Sequence, residues 1–220
     1  MSYVVTSQYE LNRVVAPRLP AATKQYDENY INQLNNVLRL YFNQLDNILG
    51  QLSTSGGIAG VRFPYGAFSS DQDQSTTANT ATLMTLNTTD FANGVSIDSS
   101  KITVANAGIY NLQFSAQFQN TDNAIQDISI WLRQNGTDIT GSTGLIAIPA
   151  RKSASAGEEA HAIIGWNYYV SMAANDYIEI YWSTTLNSVT IQYYPASTGP
   201  TRPATQSVVA TMSFVSALPP

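Results

Sequence analysis

The chain lacks cysteine and has few charged residues, and both features reduce the number of functions that it could have. Without cysteine, neither disulfides nor thiolate metal sites can form, and cysteine usage gives no information on the redox compartment. Charged residues make up 11% of the 220 residues, less than half of the usual share of about 25%. Asn, Gln, Ser and Thr supply the polarity instead, which suits β structure and extended protein–protein contact.

The charge balance also argues against nucleic acid and membrane partners. Ten basic residues stand against 15 acidic ones, and the sequence pI is about 4.6, so the chain has no basic footprint for a phosphate backbone. Neither a secretion signal nor an apolar run long enough for a bilayer is expected from the sequence. We expect a protein that is made in a cytoplasm and then assembled into a larger structure.

An uninterrupted heptad pattern runs from residue 27 to residue 52. Its a and d positions, called here the heptad seam, are Ile31, Leu34, Leu38, Tyr41, Leu45, Ile48 and Leu52. Steps of three and four residues are typical of a coiled coil, and one such helix would be marginal alone in water. Asp27, or Thr23 slightly earlier, is a plausible N-cap. We predict a coiled-coil helix over 25–52 that holds the subunits together.

The apolar stripe is wider than a two-stranded coiled coil needs. Val37 falls at a g position, and Phe42 and Leu49 fall at e positions. Together with Tyr41 at a d position, they favour three or more helices, and we expect a homotrimer. The alternative is an amphipathic helix that packs on its own domain.

The segment before the helix, 1–24, has no helical periodicity. Pro17 and Pro20 favour an extended backbone. Its apolar residues, for which the segment offers no partner, are Val4, Val5, Leu11, Val14, Val15 and Leu19. We predict an arm that anchors the protein to another protein. A flexible tail is the alternative, but such tails usually contain fewer Val and Leu residues.

After a Gly/Ser-rich linker at 53–65, the apolar pattern alternates with period two, and turn signals recur about every 8–12 residues, as in all-β domains. The candidate strands are 61–68, 82–86, 95–97, 101–105, 109–119, 126–134, 144–150, 160–171, 177–184, 189–194 and 206–217. Asn135-Gly136 is the strongest hairpin signal, whereas 69–81 and 195–205 are predicted loops. We predict a two-sheet jelly-roll head domain over 66–220.

Four segments of the head carry a resemblance to a known family. Ile102 with Gly108-Ile109-Tyr110-Asn111-Leu112-Gln113-Phe114 resembles the signature strand of the C1q/TNF-like superfamily, although Ile102 and Leu112 stand where the family usually has Phe. Ile128–Gly136 resembles the family's strand that ends in Asn-Gly, Tyr168–Trp182 resembles its pair of strands joined by a Gly-Asp or Asn-Asp turn, and Ser213–Leu218 resembles its closing strand. The resemblance covers roughly 66–219 and implies a ten-stranded jelly roll that trimerises through one edge of the sandwich.

The helix carries a second resemblance. NNVLRLYFNQLDN at 35–47, preceded by an apolar arm with prolines, resembles the N-terminal part of virion proteins of tailed bacteriophages, notably marine and cyanobacterial phages. An attachment arm, a trimeric stalk and a β head form the layout of phage head fibres, capsid decoration proteins and tail-fibre tips. This resemblance implies a place in the virion.

The residues that could support catalysis or metal binding do not form a complete set. His161 is the single histidine; it could meet its copies on a trimer axis, but an interface or core role is the simpler interpretation. Glu158 and Glu159 suggest a charged loop, and as adjacent residues they would point to opposite faces of a strand, so they do not converge on one substrate. Asp71 and Asp73 match half of a calcium loop, without its Gly and terminal Glu. We predict no catalytic residue, metal site or cofactor.

The aromatic residues of the head are expected mainly in the sandwich core and the trimer interface, and a sugar-binding platform is the alternative. They are Trp131, Trp166, Tyr168, Tyr169, Tyr177, Tyr181, Trp182, Tyr193 and Tyr194. Exposed Tyr and Trp rings can stack on sugar faces, but such residues also form cores and subunit interfaces. If the head binds a glycan, we expect the loops 137–144, 152–159 or 195–205 to form that site.

The sequence as a whole predicts a non-enzymatic homotrimeric structural protein of a tailed-phage virion. Its partners would be its own copies and a capsid or other virion protein bound through 1–24, as in a head fibre or capsid decoration protein. The rival hypothesis is the receptor- or glycan-binding tip of a tail fibre, whose partner is a host surface glycan. An enzyme such as a depolymerase would need convergent carboxylates, which the sequence does not offer.

Overall fold

A computed structural model describes residues 15–21, 24–53, 63–153 and 158–218. The chain divides into two compact units, with the division between Arg62 and Phe63. Of the segments named above, Val4, Val5, Leu11 and Val14 of the arm and 54–62 of the linker lie outside the described residues. Among the residues that the structure describes, no helix is both long and apolar enough to cross a bilayer.

Within its described residues, the first unit contains one helix, α1 (Glu28–Ser53). Asp27 caps it, because the backbone N–H of Asn29 donates to Asp27 Oδ1 at 2.9 Å and that of Tyr30 donates to the same atom at 3.4 Å. This cap satisfies amides that have no partner in the first turn. Glu28 in that turn faces the positive end of the helix dipole. The predicted cap and helix are confirmed, with α1 ending one residue beyond the predicted boundary.

The second unit is mainly β, with 15 strands among its described residues. The first eight strands are β1 (Tyr65–Ser70), β2 (Thr82–Leu83), β3 (Thr88–Asn93), β4 (Val95–Asp98), β5 (Lys101–Val104), β6 (Gly108–Asn120), β7 (Gln126–Gln134) and β8 (Thr137–Asp138). The remaining seven are β9 (Gly144–Ile148), β10 (Ala160–Met172), β11 (Tyr177–Thr184), β12 (Val189–Ile191), β13 (Ser197–Thr198), β14 (Thr201–Arg202) and β15 (Val208–Ser216).

Two antiparallel sheets, of six and seven strands, contain all of these strands except β13 and β14, which form a two-stranded sheet of their own. The first sheet has the order β10-β6-β15-β1-β3, with β12 also pairing with β6. The second has the order β4-β5-β11-β7-β8, with β2 pairing with β11 and β9 pairing with β7. In the first sheet β1 lies beside β15, the last strand of the chain. The two sheets are consistent with a β-sandwich.

The alternating residues of the long strands form one hydrophobic core. On β6, Tyr110, Leu112, Phe114, Ala116 and Phe118 are all buried, as their spacing predicts. Ile178, Ile180 and Trp182 of β11 belong to the same cluster. Phe118 and Trp182 meet edge to face with ring centroids 5.6 Å apart. Burial of each side chain of this size stabilises the folded state by about 1.5–3 kcal/mol. The buried cluster gives this unit a core of its own.

The turn at Asn135-Gly136 is confirmed and matters for the site described below. Both residues have positive φ, 49° and 80°, which is the geometry of a two-residue turn that follows the twist of the paired strands. The turn joins β7 to β8, with Gln134 opposite Thr137 and Arg133 opposite Asp138. It therefore brings Asp138 back beside Arg133, near the end of β7.

The structure corrects several predicted boundaries. Strand β3 was not predicted, because its residues TTDFAN are mostly exposed and lack an alternating apolar pattern. The predicted loop 69–81 begins inside β1 and contains buried Gln74, whose amide exchanges hydrogen bonds with the backbone of Thr85 at 2.8 and 3.0 Å. The predicted loop 195–205 contains the small hairpin of β13 and β14. The predicted strands 82–86 and 189–194 are shorter, ending at Leu83 and Ile191.

Candidate functional sites

The heptad seam lies on the least exposed side of α1. Leu34, Leu38, Tyr41, Leu45 and Ile48 are half-buried, and Ile31 is 36% exposed; the side chain of Leu52 lies outside the described residues. No described residue of α1 is fully buried. Phe42 and Leu49, which widen the apolar stripe, are each 56% exposed. One copy of the helix therefore leaves apolar surface in contact with water.

The described part of the arm lies beside the helix. Residues 15–21 form neither helix nor strand. Leu19 and Pro20 line a cavity of about 570 Å³ together with Gln33 and Val37 of α1. Val15 and Leu19 are nevertheless 68% and 50% exposed. The arm thus keeps most of its described apolar surface accessible.

The outer face of the second sheet carries a cluster of four interacting residues, called here the Trp131 cluster: Trp131, Arg133, Asp138 and Tyr181. Trp131 and Tyr181 are opposite one another on β7 and β11, and their rings stack with centroids 5.9 Å apart and planes at 28°. The guanidinium of Arg133 lies 4.0 Å from the centre of the Tyr181 ring, a cation–π contact. The cluster therefore joins two strands through their side chains.

Asp138 is the polar centre of the Trp131 cluster. Its Oδ1 accepts hydrogen bonds from Trp131 Nε1 and Arg133 Nε, each at 2.8 Å, and the second contact is also an ion pair. The Arg133 hydrogen bond, followed by that of Trp131, lowers the pKa of Asp138 below its ordinary value. The carboxylate consequently stays charged and fixed in orientation at neutral pH, although it is exposed.

A pocket of about 510 Å³ opens beside this cluster, called here the Trp131 pocket. Its lining comprises Ser129, Trp131, Asp138, Ile139, Thr140, Gly141, Thr143 and Ser183. Ser142 holds the loop that forms one wall, since its hydroxyl accepts from the backbone N–H of Leu132 at 3.0 Å and donates to Ile139 O at 2.8 Å. Part of this lining belongs to the loop 137–144 that the sequence analysis selected.

The other aromatic residues do not join this cluster. Trp182 is buried in the core, and Trp166 packs against Phe114 with ring centroids 4.7 Å apart. Tyr177 lies under Lys101, Tyr168 is half-buried against the core, and Tyr169 is 59% exposed. The nine aromatic residues therefore divide between the core and separate surface positions, rather than forming one binding surface.

His161 and Tyr194 form a second small surface contact. Their rings meet edge to face with centroids 5.6 Å apart, and the Tyr194 hydroxyl lies 3.1 Å from His161 Nδ1. The same hydroxyl donates to Gln119 Oε1 at 2.7 Å. Burial, reinforced by the negative charge of Glu159, raises the pKa of Tyr194. His161 is exposed, so it is not a core residue of this chain.

The acidic residues singled out from the sequence have separate surroundings. Asp71 accepts from Asn87 Nδ2 at 2.6 Å, and Asp73 accepts from the backbone N–H of Tyr193 at 2.8 Å. Glu158 is exposed and Glu159 is half-buried. Within the part of the chain that the structure describes, no three His, Asp or Glu side chains come close enough to share a metal ion. Asp71 and Asp73 thus connect surface loops.

Neither a protein-family model nor a curated protein matches the sequence of this chain. Its function is therefore inferred from the residues and contacts described above.

Proposed function

We propose that this protein is a non-enzymatic, homotrimeric structural component of a tailed-phage virion, of the head-fibre or capsid-decoration type. The observation that carries the proposal is the heptad seam of α1, which is half-exposed in a single chain. An apolar seam with this repeat is stabilised when helices pack around it. The second unit has its own core, so it does not need α1 to cover apolar residues.

The proposed architecture of the second unit is a jelly roll of the C1q/TNF-like type. The two sheets have six and seven strands, more than the ten that the sequence resemblance implies, because β2, β9 and β12 pair beside the main run of five strands in each sheet. The pairing of β1 with β15 and of β6 with both β10 and β15 supports this topology, because jelly rolls pair strands that are distant in sequence.

The proposed anchor is the arm at 1–24. Supporting observations are the exposure of Val15 and Leu19, which no other described segment covers completely. Apolar side chains on an extended segment gain free energy when a partner removes them from water. We propose that a capsid or other virion protein is this partner and that the mature location is the virion.

The test is to locate the protein in purified phage particles by cryo-electron microscopy, with and without residues 1–24. We expect density on the capsid surface for the full chain and its loss for the deletion variant. The variant must first show the molar mass and the circular dichroism of the full chain, apart from the missing segment, so that loss of density reports attachment. Unchanged density in the variant would contradict the anchoring role.

A receptor- or glycan-binding tail tip is the second candidate function. It is favoured by one observation, the Trp131 pocket, where an aromatic ring lies beside polar groups. In the same particles, density confined to the tail, with reduced adsorption of the deletion variant to host cells, would favour this candidate over the first.

A further inference from the structure

We propose that the Trp131 pocket binds one ring of a neutral saccharide. This inference names a site and a ligand class for the second candidate function. It does not require the protein to sit at a tail tip, because a capsid-bound protein can also carry a sugar site. Its test uses purified protein, so its failure leaves the assembly role unaffected.

The size and position of the Trp131 pocket suit a small ligand. Its volume of about 510 Å³ falls within the range of about 300–1,000 Å³ that is usual for small-molecule sites. It lies on the outer face of the second sheet, between β7, β11 and the loop after β8. Ser142 is 3% exposed and fixes this loop through two backbone hydrogen bonds. The wall of the pocket is therefore held in place before a ligand arrives.

Four hydroxyl groups in the Trp131 pocket can pair with the hydroxyl groups of a sugar. Ser129 and Ser183 face each other across β7 and β11, and Thr140 and Thr143 of the loop after β8 also line the pocket. Among the described residues, none of these four hydroxyls makes a hydrogen bond to the protein. Each can act as donor and acceptor, which matches the hydroxyl groups of a sugar.

The pocket also places the indole of Trp131 beside the carboxylate of Asp138, a combination that suits a sugar ring. Trp131 lines the pocket and is held by Tyr181 on β11 and by Asp138. Both described hydrogen bonds to Asp138 use Oδ1, so Oδ2 remains for the hydroxyl groups of a ligand. An aromatic ring gives a flat apolar surface for the C–H face of a sugar, while a carboxylate accepts hydrogen bonds more strongly than a neutral group does.

The charges of the pocket exclude other ligand classes. Arg133, the cation nearest to Asp138, is already paired with that carboxylate at 2.8 Å, and no Lys or Arg lines the pocket. A phosphate or an acidic sugar would meet a carboxylate without a free cation. The four hydroxyls would leave a purely apolar ligand with unpaired polar groups around it. The ligand must therefore be neither anionic nor purely apolar, and an uncharged polyhydroxylated ring meets both conditions.

The test measures binding of methyl glycosides of glucose, galactose, mannose and N-acetylglucosamine by saturation-transfer-difference NMR. We expect saturable binding of at least one of them to the full chain. Trp131→Ala should weaken it by about tenfold or more, as expected when one good contact is lost. The double variant Ser129→Ala/Ser183→Ala should weaken it similarly, and it changes the fold less than the loss of an indole.

Phe91→Ala provides the matched control. Phe91 is an aromatic residue that is 63% exposed on β3 of the other sheet, so its loss should leave sugar binding unchanged. Circular dichroism must show that all variants are folded. The proposal is overturned if none of the four glycosides binds at millimolar concentration, or if a folded Trp131→Ala or serine double variant binds as tightly as the full chain.

A second arm distinguishes two sources of the same ring. Binding of the full chain to whole host cells, competed by the active glycoside, would identify a cell-surface polysaccharide. Binding of the free glycoside without binding to cells would identify a soluble saccharide, and both results support the pocket.

Discussion

At the residue scale, Asp176 shows how one carboxylate can join two turns. Its Oδ1 accepts from Asn135 Nδ2 at 2.7 Å, and its Oδ2 accepts from the backbone N–H of Ala173 at 2.8 Å and from Gln134 Nε2 at 3.0 Å. Burial would raise the pKa of Asp176, but these hydrogen bonds outweigh burial and lower it. The carboxylate therefore connects the turn after β7 to the turn before β11.

We expect Asp176→Ala to lower the free energy of unfolding by about 1–3 kcal/mol at neutral pH, because three donors lose their acceptor. A carboxyl group whose folded pKa is depressed contributes stability above its unfolded pKa, about 3.9. That contribution is lost as the pH falls through the lower folded pKa. Urea unfolding of the variant and the full chain at several pH values should therefore show a smaller difference between them in acid.

Asp98→Ala is the control for this prediction. The Asp98 carboxylate accepts one long hydrogen bond, 3.4 Å from the Ser99 hydroxyl, and Asp98 is exposed. Its replacement should change the unfolding free energy by less than about 0.5 kcal/mol. A loss from Asp176→Ala no larger than this, or equal at every pH, would show that the Asp176 contacts do not stabilise the fold.

At the element scale, the strands differ in how far their sequences predict them. β6 and β11 were predicted almost to the residue, because core-facing apolar residues recur at every second position of each strand, although Glu179 of β11 is buried as well. β3 was missed because it is an edge strand with an exposed, polar sequence; its pairing with β1 is made by backbone groups, which leave no side-chain pattern. Gln74 was assigned to a loop because its buried role depends on Thr85, which lies 11 residues away.

The same reasoning applies to the candidate sites. The heptad seam could be predicted because it is a local repeat along one helix. The Trp131 cluster could not, since it requires the pairing of β7 with β11 and the turn at Asn135-Gly136 that brings Asp138 back to β7. The division of the aromatic residues between core and surface could not be predicted in detail either, because sequence spacing does not say which sheet face a ring occupies.

Two leucines of the second sheet test the assignment of its two faces. Leu132 on β7 is fully buried and Leu145 on β9 is 80% exposed. We expect Leu132→Ala to lower the free energy of unfolding by about 2–5 kcal/mol, because it leaves a cavity in the core. Leu145→Ala should change it by less than about 0.5 kcal/mol. Urea unfolding of both variants measures this, and equal losses would contradict the assigned faces.

At the scale of the whole molecule, the two units differ in how much apolar surface they bury. The β unit has a core of fully buried residues, including Trp182 and Phe68, although Leu145 and Ile163 on its surface are exposed. The helix has no fully buried residue among those described, and its seam is half-exposed. This contrast is the reason for proposing that α1 associates with further copies, while the β unit presents outer surfaces such as the Trp131 pocket.

The double variant Leu38→Asp/Leu45→Asp tests this association. Both residues are at a positions of the seam, so a trimer would have to bury charges without partners, which is strongly unfavourable. The matched control is Asn32→Asp/Asn43→Asp, which adds the same charge at exposed positions of α1 outside the seam. We expect the seam variant to dissociate and the control to remain assembled.

The most direct measurement is the molar mass of these three proteins by light scattering after size-exclusion chromatography. If α1 holds a trimer together, the full chain and the Asn32→Asp/Asn43→Asp control should each have three times the 23.9 kDa chain mass. The Leu38→Asp/Leu45→Asp variant should have a single chain mass. A full chain that elutes as a monomer, or a seam variant that keeps the trimer mass, would contradict assembly through α1.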